Sequence, residues 1–321
     1  MDLLRVLFLG VILPGWILSF FQRDIEKQLL PENTIGETTT EVTTQTQSAG
    51  ISFLVQLPDG QQVLMDEDTY LTCVVLAEMP ASFNLEALKA QAVVARTYAL
   101  KRGTAGMKHV NGAVCTEHTC CQAYCTEEDY LNKGGTLENV GKIRAAVSGT
   151  HGQVLMFKGN LIDATYFSCS GGRTEDAVAV WGSDIPYLQA VDSPGEENAS
   201  HYMETVTFTA EQFQRMLGGS IFGRPESWIG SVTYTDGGGV DTIQIGSKSY
   251  KGTTIRQLLG IRSTAFVISA VGDTITVTTK GFGHRVGMSQ YGANAMAESG
   301  KDCAEILAHY YQGTRLQSWQ G

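Results

Sequence analysis

The chain has 321 residues, 43% hydrophobic, 9% aromatic and 17% charged, with 36 Gly and 7 Pro. These proportions exclude a collagen, a coiled coil and wholesale disorder, and the length suits one large domain or two. With 33 acidic against 23 basic side chains the net charge is −10, which argues against a nucleic-acid binder and leaves neutral polymers, small molecules and proteins as partners.

Residues 3 to 21, LLRVLFLGVILPGWILSFF, are apolar except for Arg5 and come close to the roughly 20 residues that cross a bilayer. No small-residue cleavage site follows, so residues 1–30 read as a cytoplasmic stub, a transmembrane anchor and a juxtamembrane segment, with a cleavable signal peptide as the alternative. Either reading exports the rest of the chain. Residues 31–50 hold seven Thr and no aromatic, Lys or Arg, a composition that cannot offset ordering entropy and predicts a flexible linker. The folded region is therefore expected over 51–321.

Within it, ISFLVQL and QQVLM flank Pro58-Asp59-Gly60, a hairpin signal. The apolar run TCVVLA ends at Glu78. After Asn84, a plausible cap, Leu85, Leu88, Ala92, Ala95 and Ala99 recur at helical spacing and predict a helix over 85–102. A shorter helix is expected over 136–147. GQVLMFKGN and LIDATYFS read as strands joined by a Lys-Gly-Asn turn, and two more hairpins are expected in 231–246 and 266–279, separated by a helix at about 252–259. Helices at about 289–298 and 302–311 close the chain. Hairpins mixed with helices, without βαβ alternation, indicate an α+β architecture in one large region, its division into two packed lobes left open.

Four stretches carry chemistry-bearing residues. Glu78 stands at the end of a buried segment before Met79-Pro80; an acid among apolar neighbours holds its proton to higher pH, as a general acid must. Glu86 lies in the first turn of the expected helix, where the dipole favours a carboxylate and the role is structural. His109, Cys115, Cys120 and Cys121 offer four donors within thirteen residues, suited to tetrahedral Zn²⁺, although His118 and Cys125 are also near. A disulfide from Cys115 to Cys121 or Cys125 is the alternative in an exported segment, but the odd total of seven cysteines and the adjacent pair favour metal. Such a filled site would hold a loop rather than activate water. Ser168, Ser170, Gly171 and Gly172 form a polar turn before Arg173 and Trp181, a segment able to meet a sugar. Gly281, Gly283 and Gly287 place His284 in a tight loop leading to Ser289, Gln290 and Tyr291 at a helix mouth. An enzyme acting on an extracellular polymer and a binding module both fit these residues.

In order and spacing, EMPASFNLEALKAQAVVARTYAL, CCQAY, YFSCSGGRTEDAVAVWGSDIPYL, GHRVGMSQYGANAMA and HYYQGT resemble the stage II sporulation protein D (SpoIID) family of peptidoglycan lytic transglycosylases. The resemblance implies a membrane-anchored, outward-facing enzyme of the engulfing mother cell, cutting between N-acetylmuramic acid and N-acetylglucosamine with formation of a 1,6-anhydro ring. It implies Glu78 as the acid, glycan strands stripped of stem peptides as substrate, and an amidase/endopeptidase and membrane engulfment proteins as partners. Ser168, Ser170, Arg173, His284, Ser289, Gln290 and Tyr291 are substrate-binding candidates by motif membership. The metal pattern of some members is similar to His-x5-Cys-x4-His-Cys; Cys120 replaces the second His, which leaves a structural Cys₃His zinc set. Arg285 stands where the family usually has Gly, so a guanidinium is expected either to reach a substrate carboxylate or to obstruct the cleft. A zinc amidase or deacetylase and a non-catalytic glycan-binding scaffold remain the alternatives.

Overall fold

The computed structural model describes residues 50–104 and 108–320. The expected anchor, and all of the Thr-rich linker but Gly50, lie outside the described residues, among which no helix is long and apolar enough to cross a membrane. β1 (Ser52–Gln56) and β2 (Gln62–Asp66) are the arms of the expected hairpin, paired antiparallel. β2 runs into α1 (Glu67–Glu78), capped by Asp66, whose carboxylate accepts from the Thr69 amide at 2.9 Å. The apolar run before Glu78 is thus a helix. Tyr70 to Leu76 are buried without a break, so no 3.6-residue stripe announces it. Pro80 sets its end: a residue before proline is pushed out of the helical region, and Met79 lies at φ −130°, ψ 141°. Glu78 is therefore the last helical residue.

Asn84 accepts from the Glu86 amide at 3.0 Å and starts α2 (Leu85–Thr104), two residues longer than expected. Every residue of α2 from Ala90 to Ala99 is buried, and its alanines let neighbours approach from all sides. β3 (Val114–Cys115) pairs parallel with β1. There follow α3 (Glu127–Asn132), α4 (Leu137–Ser148), β4 (Gln153–Phe157) and β5 (Asn160–Leu161). The strand expected over 161–168 is broken: after β5 the chain leaves that sheet, and β6 (Tyr166–Phe167) pairs with a strand more than a hundred residues on. α5 (Ala177–Trp181) completes this part.

Next come β7 (Met203–Thr209), α6 (Ala210–Met216), β8 (Ile229–Tyr234), β9 (Val240–Ile245), β10 (Lys248–Lys251), α7 (Gly252–Leu259), β11 (Ala265–Val271) and β12 (Thr274–Lys280). They make two antiparallel sheets, ordered β11-β12-β7 and β10-β9-β8. Both expected hairpins are here; β7 and α6 were not announced. β13 (Met288–Ser289), α8 (Gln290–Glu298), α9 (Cys303–Tyr310) and β14 (Arg315–Ser318) return to the first part, β13 beside β6 and β14 beside β4.

The lobe question resolves as one compact unit with two cores. The larger core surrounds α2, which packs on α1, α4, α8, α9 and β4. The smaller belongs to residues 203–280 and is built on Phe213, Trp228, Ile243, Ile255 and Val277. It is an insertion between α5 and β13.

Candidate active site

Glu78 opens on a cavity of about 770 Å³ between α1, the loop 118–123, β6 and the 281–284 loop, a size suited to a small ligand or a few sugar rings. Its carboxylate is half-buried and held by three donors. Oε1 accepts from the Ala123 amide at 2.8 Å and the Tyr166 hydroxyl at 3.0 Å, and Oε2 accepts from Gln290 Nε2 at 3.3 Å. Burial, and then the charge of Glu78, push the Tyr166 hydroxyl well above its ordinary pKa, so it stays a donor. Among the described residues lining the cavity Glu78 is the one carboxylate. Trp181, nearly half exposed, and Phe282 add flat apolar faces.

One wall is the cysteine loop. The donor atoms of His109, Cys115, Cys120 and Cys121 all lie within 4.8 Å of one another, with His109 Nε2 at 3.4 Å from Cys120 Sγ. Three sulfurs and one imidazole nitrogen match the donor chemistry of a structural zinc site. His118 and Cys125 stand outside the group: His118 lines the cavity, and the Cys125 thiol donates to the Thr126 carbonyl at 3.6 Å. Two residues past Cys121, Ala123 supplies the Glu78 hydrogen bond, so the cysteine cluster and the carboxylate share one short loop.

The motif candidates divide. Ser168, His284 and Gln290 line the cavity with Glu78; Ser170, Arg173, Ser289 and Tyr291 do not. Ser170 is fully buried, and with its own amide, the Gly171 amide and the Cys169 thiol it surrounds Glu196 Oε2, at 2.8–3.2 Å. Glu196, missed in the sequence because it lies in the unremarkable run PGEEN, is the reason for the Ser-Gly-Gly turn. That turn interlocks with the next glycine loop: a Cβ on Gly281 would sit 2.7 Å from the Ser170 carbonyl oxygen. Arg173 pairs with Asp192 at 2.6 Å, Ser289 caps α8 through the Gly292 amide, and the Tyr291 ring meets Phe83 edge-on. Glu86 is structural as expected: it pairs with Lys89, which holds its carboxyl below the usual range, and accepts from the Cys303 amide at the start of α9.

Arg285 corrects the expectation of a guanidinium in the cleft. It is 2% exposed and points away, its Nη1 3.2 Å from Glu175 Oε1 and its other nitrogens donating to the carbonyls of Ser170, Arg173 and Gly237. Its φ of 67° is left-handed, a conformation glycine adopts freely. The side chain was drawn inward by Glu175, itself unannounced in the sequence.

His284 is packed between Phe167 and Trp181, with ring centres 5.6 and 5.3 Å away. Burial, helped by the positive charge of Arg256, pushes its pKa down to about 4. The Val286 amide donates to Nδ1 at 3.1 Å, which fixes the neutral Nε2–H form. The folded pKa lies below the unfolded value of about 6.5, so the unfolded chain takes up the proton first. Stability from this residue is complete above about pH 6.5 and is lost as pH falls towards 4. In ¹⁵N-detected spectra the His284 ring is expected to stay neutral at pH 5.5; a ring half protonated at pH 6 contradicts the assignment.

The fold and site define an α+β protein whose cleft is organised around one carboxylate beside a cysteine–histidine cluster. The family model described as "Stage II sporulation protein" (SpoIID) matches residues 61–157, a span that holds Glu78 and the whole cluster. The chain is 43% identical over 254 residues to stage II sporulation protein D of Bacillus amyloliquefaciens, covering 78% of this chain and 73% of that protein. It is 42% identical to stage II sporulation protein D of Bacillus subtilis (strain 168), covering 78% and 74%. A third relative, the amidase enhancer of Bacillus subtilis, is 31% identical over 77% of this chain and 40% of its own length. The chain belongs to the stage II sporulation protein D family.

Proposed function

We propose that this protein is a peptidoglycan lytic transglycosylase that cleaves the β-1,4 bond between N-acetylmuramic acid and N-acetylglucosamine in spore engulfment. The observation that carries the reading is the solitary carboxylate. Glycoside hydrolysis ordinarily uses two carboxyl groups, one of them to activate water or attack the sugar; an intramolecular attack needs only one. Because Oε1 of Glu78 already accepts two hydrogen bonds, the acid proton belongs on Oε2, which has only the longer contact from Gln290. Glu78 protonates the leaving O4 of N-acetylglucosamine as the muramic C1–O4 bond breaks. The resulting carboxylate takes the proton of the muramic C6 hydroxyl, whose oxygen closes on C1 as the 1,6-anhydro ring. The acid is regenerated without water.

His109, Cys115, Cys120 and Cys121 would hold a structural Zn²⁺, which supplies a cross-link and no open coordination position; this argues against a zinc amidase. Their part in the chemistry is to fix Gln122 and Ala123 behind Glu78. One zinc per chain is therefore expected, with Cys115→Ser or chelation lowering activity at least about tenfold. Reloading with Cd²⁺, a thiolate binder, is expected to restore activity. Failure of Cd²⁺ alone to do so would give the metal a chemical role.

The reading places residues 3–21 in the mother-cell membrane with the cleft outside the cytoplasm. Its substrate is strands already stripped of stem peptides by an amidase/endopeptidase, beside membrane engulfment proteins. The names of the relatives support the sporulation setting. Mass spectrometry of digested sacculi tests the chemistry: 1,6-anhydro ends support it, and reducing ends would make the protein a hydrolase. Binding to sacculi without soluble products would make it a scaffold.

A further inference from the structure

Two cations line the cavity of a chain that is acidic as a whole. Against Glu78 its lining sets Arg102 and Lys108, although the whole chain carries a net charge of −10. Arg102 closes the last turn of α2, its guanidinium lying 5.0 Å over the Tyr98 ring, which also lines the cavity. Among the described residues its carboxylate neighbour is Asp163, 3.5 Å from Nη2, too far for a strong hydrogen bond. Nε is buried and has no hydrogen-bond partner among the described residues. Lys108 donates to the Cys120 carbonyl and, among the described residues, forms no ion pair. Arg102 thus lines the cavity with its hydrogen-bonding fork incompletely paired, and such a guanidinium is suited to a planar anion.

We infer that Arg102, with Lys108 beside it, is a carboxylate site that takes the lactyl group of muramic acid in its free-acid form. The inference rests on the proposed glycan reading and deepens it. Each muramic acid carries at O3 a lactyl ether that ends either in a carboxylate or, where a stem peptide is attached, in an amide. A carboxylate gives the fork two oxygens and a full negative charge. An amide gives one oxygen, and its N–H faces another donor. Selection of peptide-free strands would then be a property of the cleft itself and not only of the order in which partner enzymes act.

The test compares strands with free lactyl carboxylates and the same strands converted to lactyl methylamides. Binding is measured in the Glu78→Gln protein and 1,6-anhydro ends are counted in the otherwise unchanged enzyme. The free-acid strand is expected to bind at least tenfold tighter, with the ratio falling to about one in Arg102→Gln and to an intermediate value in Arg102→Lys. The preference should also weaken as salt rises. If Arg102→Gln loses affinity for both strands equally, or the ratio persists, the carboxylate site is overturned even though anhydro ends form. If the binding ratio behaves as expected and no anhydro ends form, the site stands and the transglycosylase reading falls.

Discussion

Glu78→Gln is expected to lower the release of 1,6-anhydro products about 10³- to 10⁴-fold while leaving the protein folded. The amide keeps an oxygen where Oε1 accepts from Ala123 and Tyr166, so the loop behind it stays in place. The proton needed on the leaving oxygen is gone, and among the described lining residues no other carboxyl group can supply it. Glu86→Gln is the matched control, since that side chain ties Lys89 to the start of α9 and its amide oxygen can still accept from Cys303. An i,i+3 ion pair of this kind, with its side chains 26% and 29% exposed, is worth about 1 kcal/mol or less, and activity within about twofold of the parent is expected. Inactivity confined to the Glu86 variant, with both proteins folded, would overturn the assignment.

Arg285→Ala is expected to cost about 3–5 kcal/mol, because it leaves Glu175 charged and nearly unexposed. For a protein of this size that is a fall in Tm of roughly 10 °C. Removing the guanidinium also releases the carbonyls of Ser170 and Arg173, in one turn, and of Gly237, in the inserted lobe. The double change Arg285→Met with Glu175→Gln removes both charges and is expected to recover at least half of the loss in calorimetry. If the double variant is less stable than Arg285→Ala, the cost lies in the lost carbonyl contacts and not in the stranded charge.

These residues also show what a sequence can and cannot announce. The Glu-Met-Pro run is legible because its parts act locally: Pro80 forces Met79 extended, and that places Glu78 at a helix end. The Asn84 cap, the hairpin turns and the start of α8 at Ser289 were legible for the same reason. The cysteine group was legible as donor chemistry, and folding excluded His118 and Cys125 from it. What stayed hidden is decided by partners far along the chain. Ser170 reads as a polar loop residue until Glu196 is placed beneath it, and Arg285 reads as a cleft residue until Glu175 is. Tyr166 gave no signal because its strand is two residues long and exists only by pairing with Met288 and Ser289. α1 escaped notice because burial on all sides erases the periodicity that marks a helix.

The inserted lobe enters at Met203 and leaves at Lys280, and those two residues are direct cross-strand partners, so their Cα atoms are about 5 Å apart. A chain that departs and returns through one doorway fixes little of its host at the point of entry; its second hold is the turn 235–239, where the Gly237 carbonyl accepts from Arg285 and Thr235 and Gly239 donate to Glu175. Away from that turn such a lobe can lengthen or shrink with little loop-closure penalty, while the cleft around Glu78 keeps its frame. New surfaces for tethering or partner choice can therefore be tried in 203–280 outside the 235–239 turn, leaving the buried Arg285–Glu175 pair its partners.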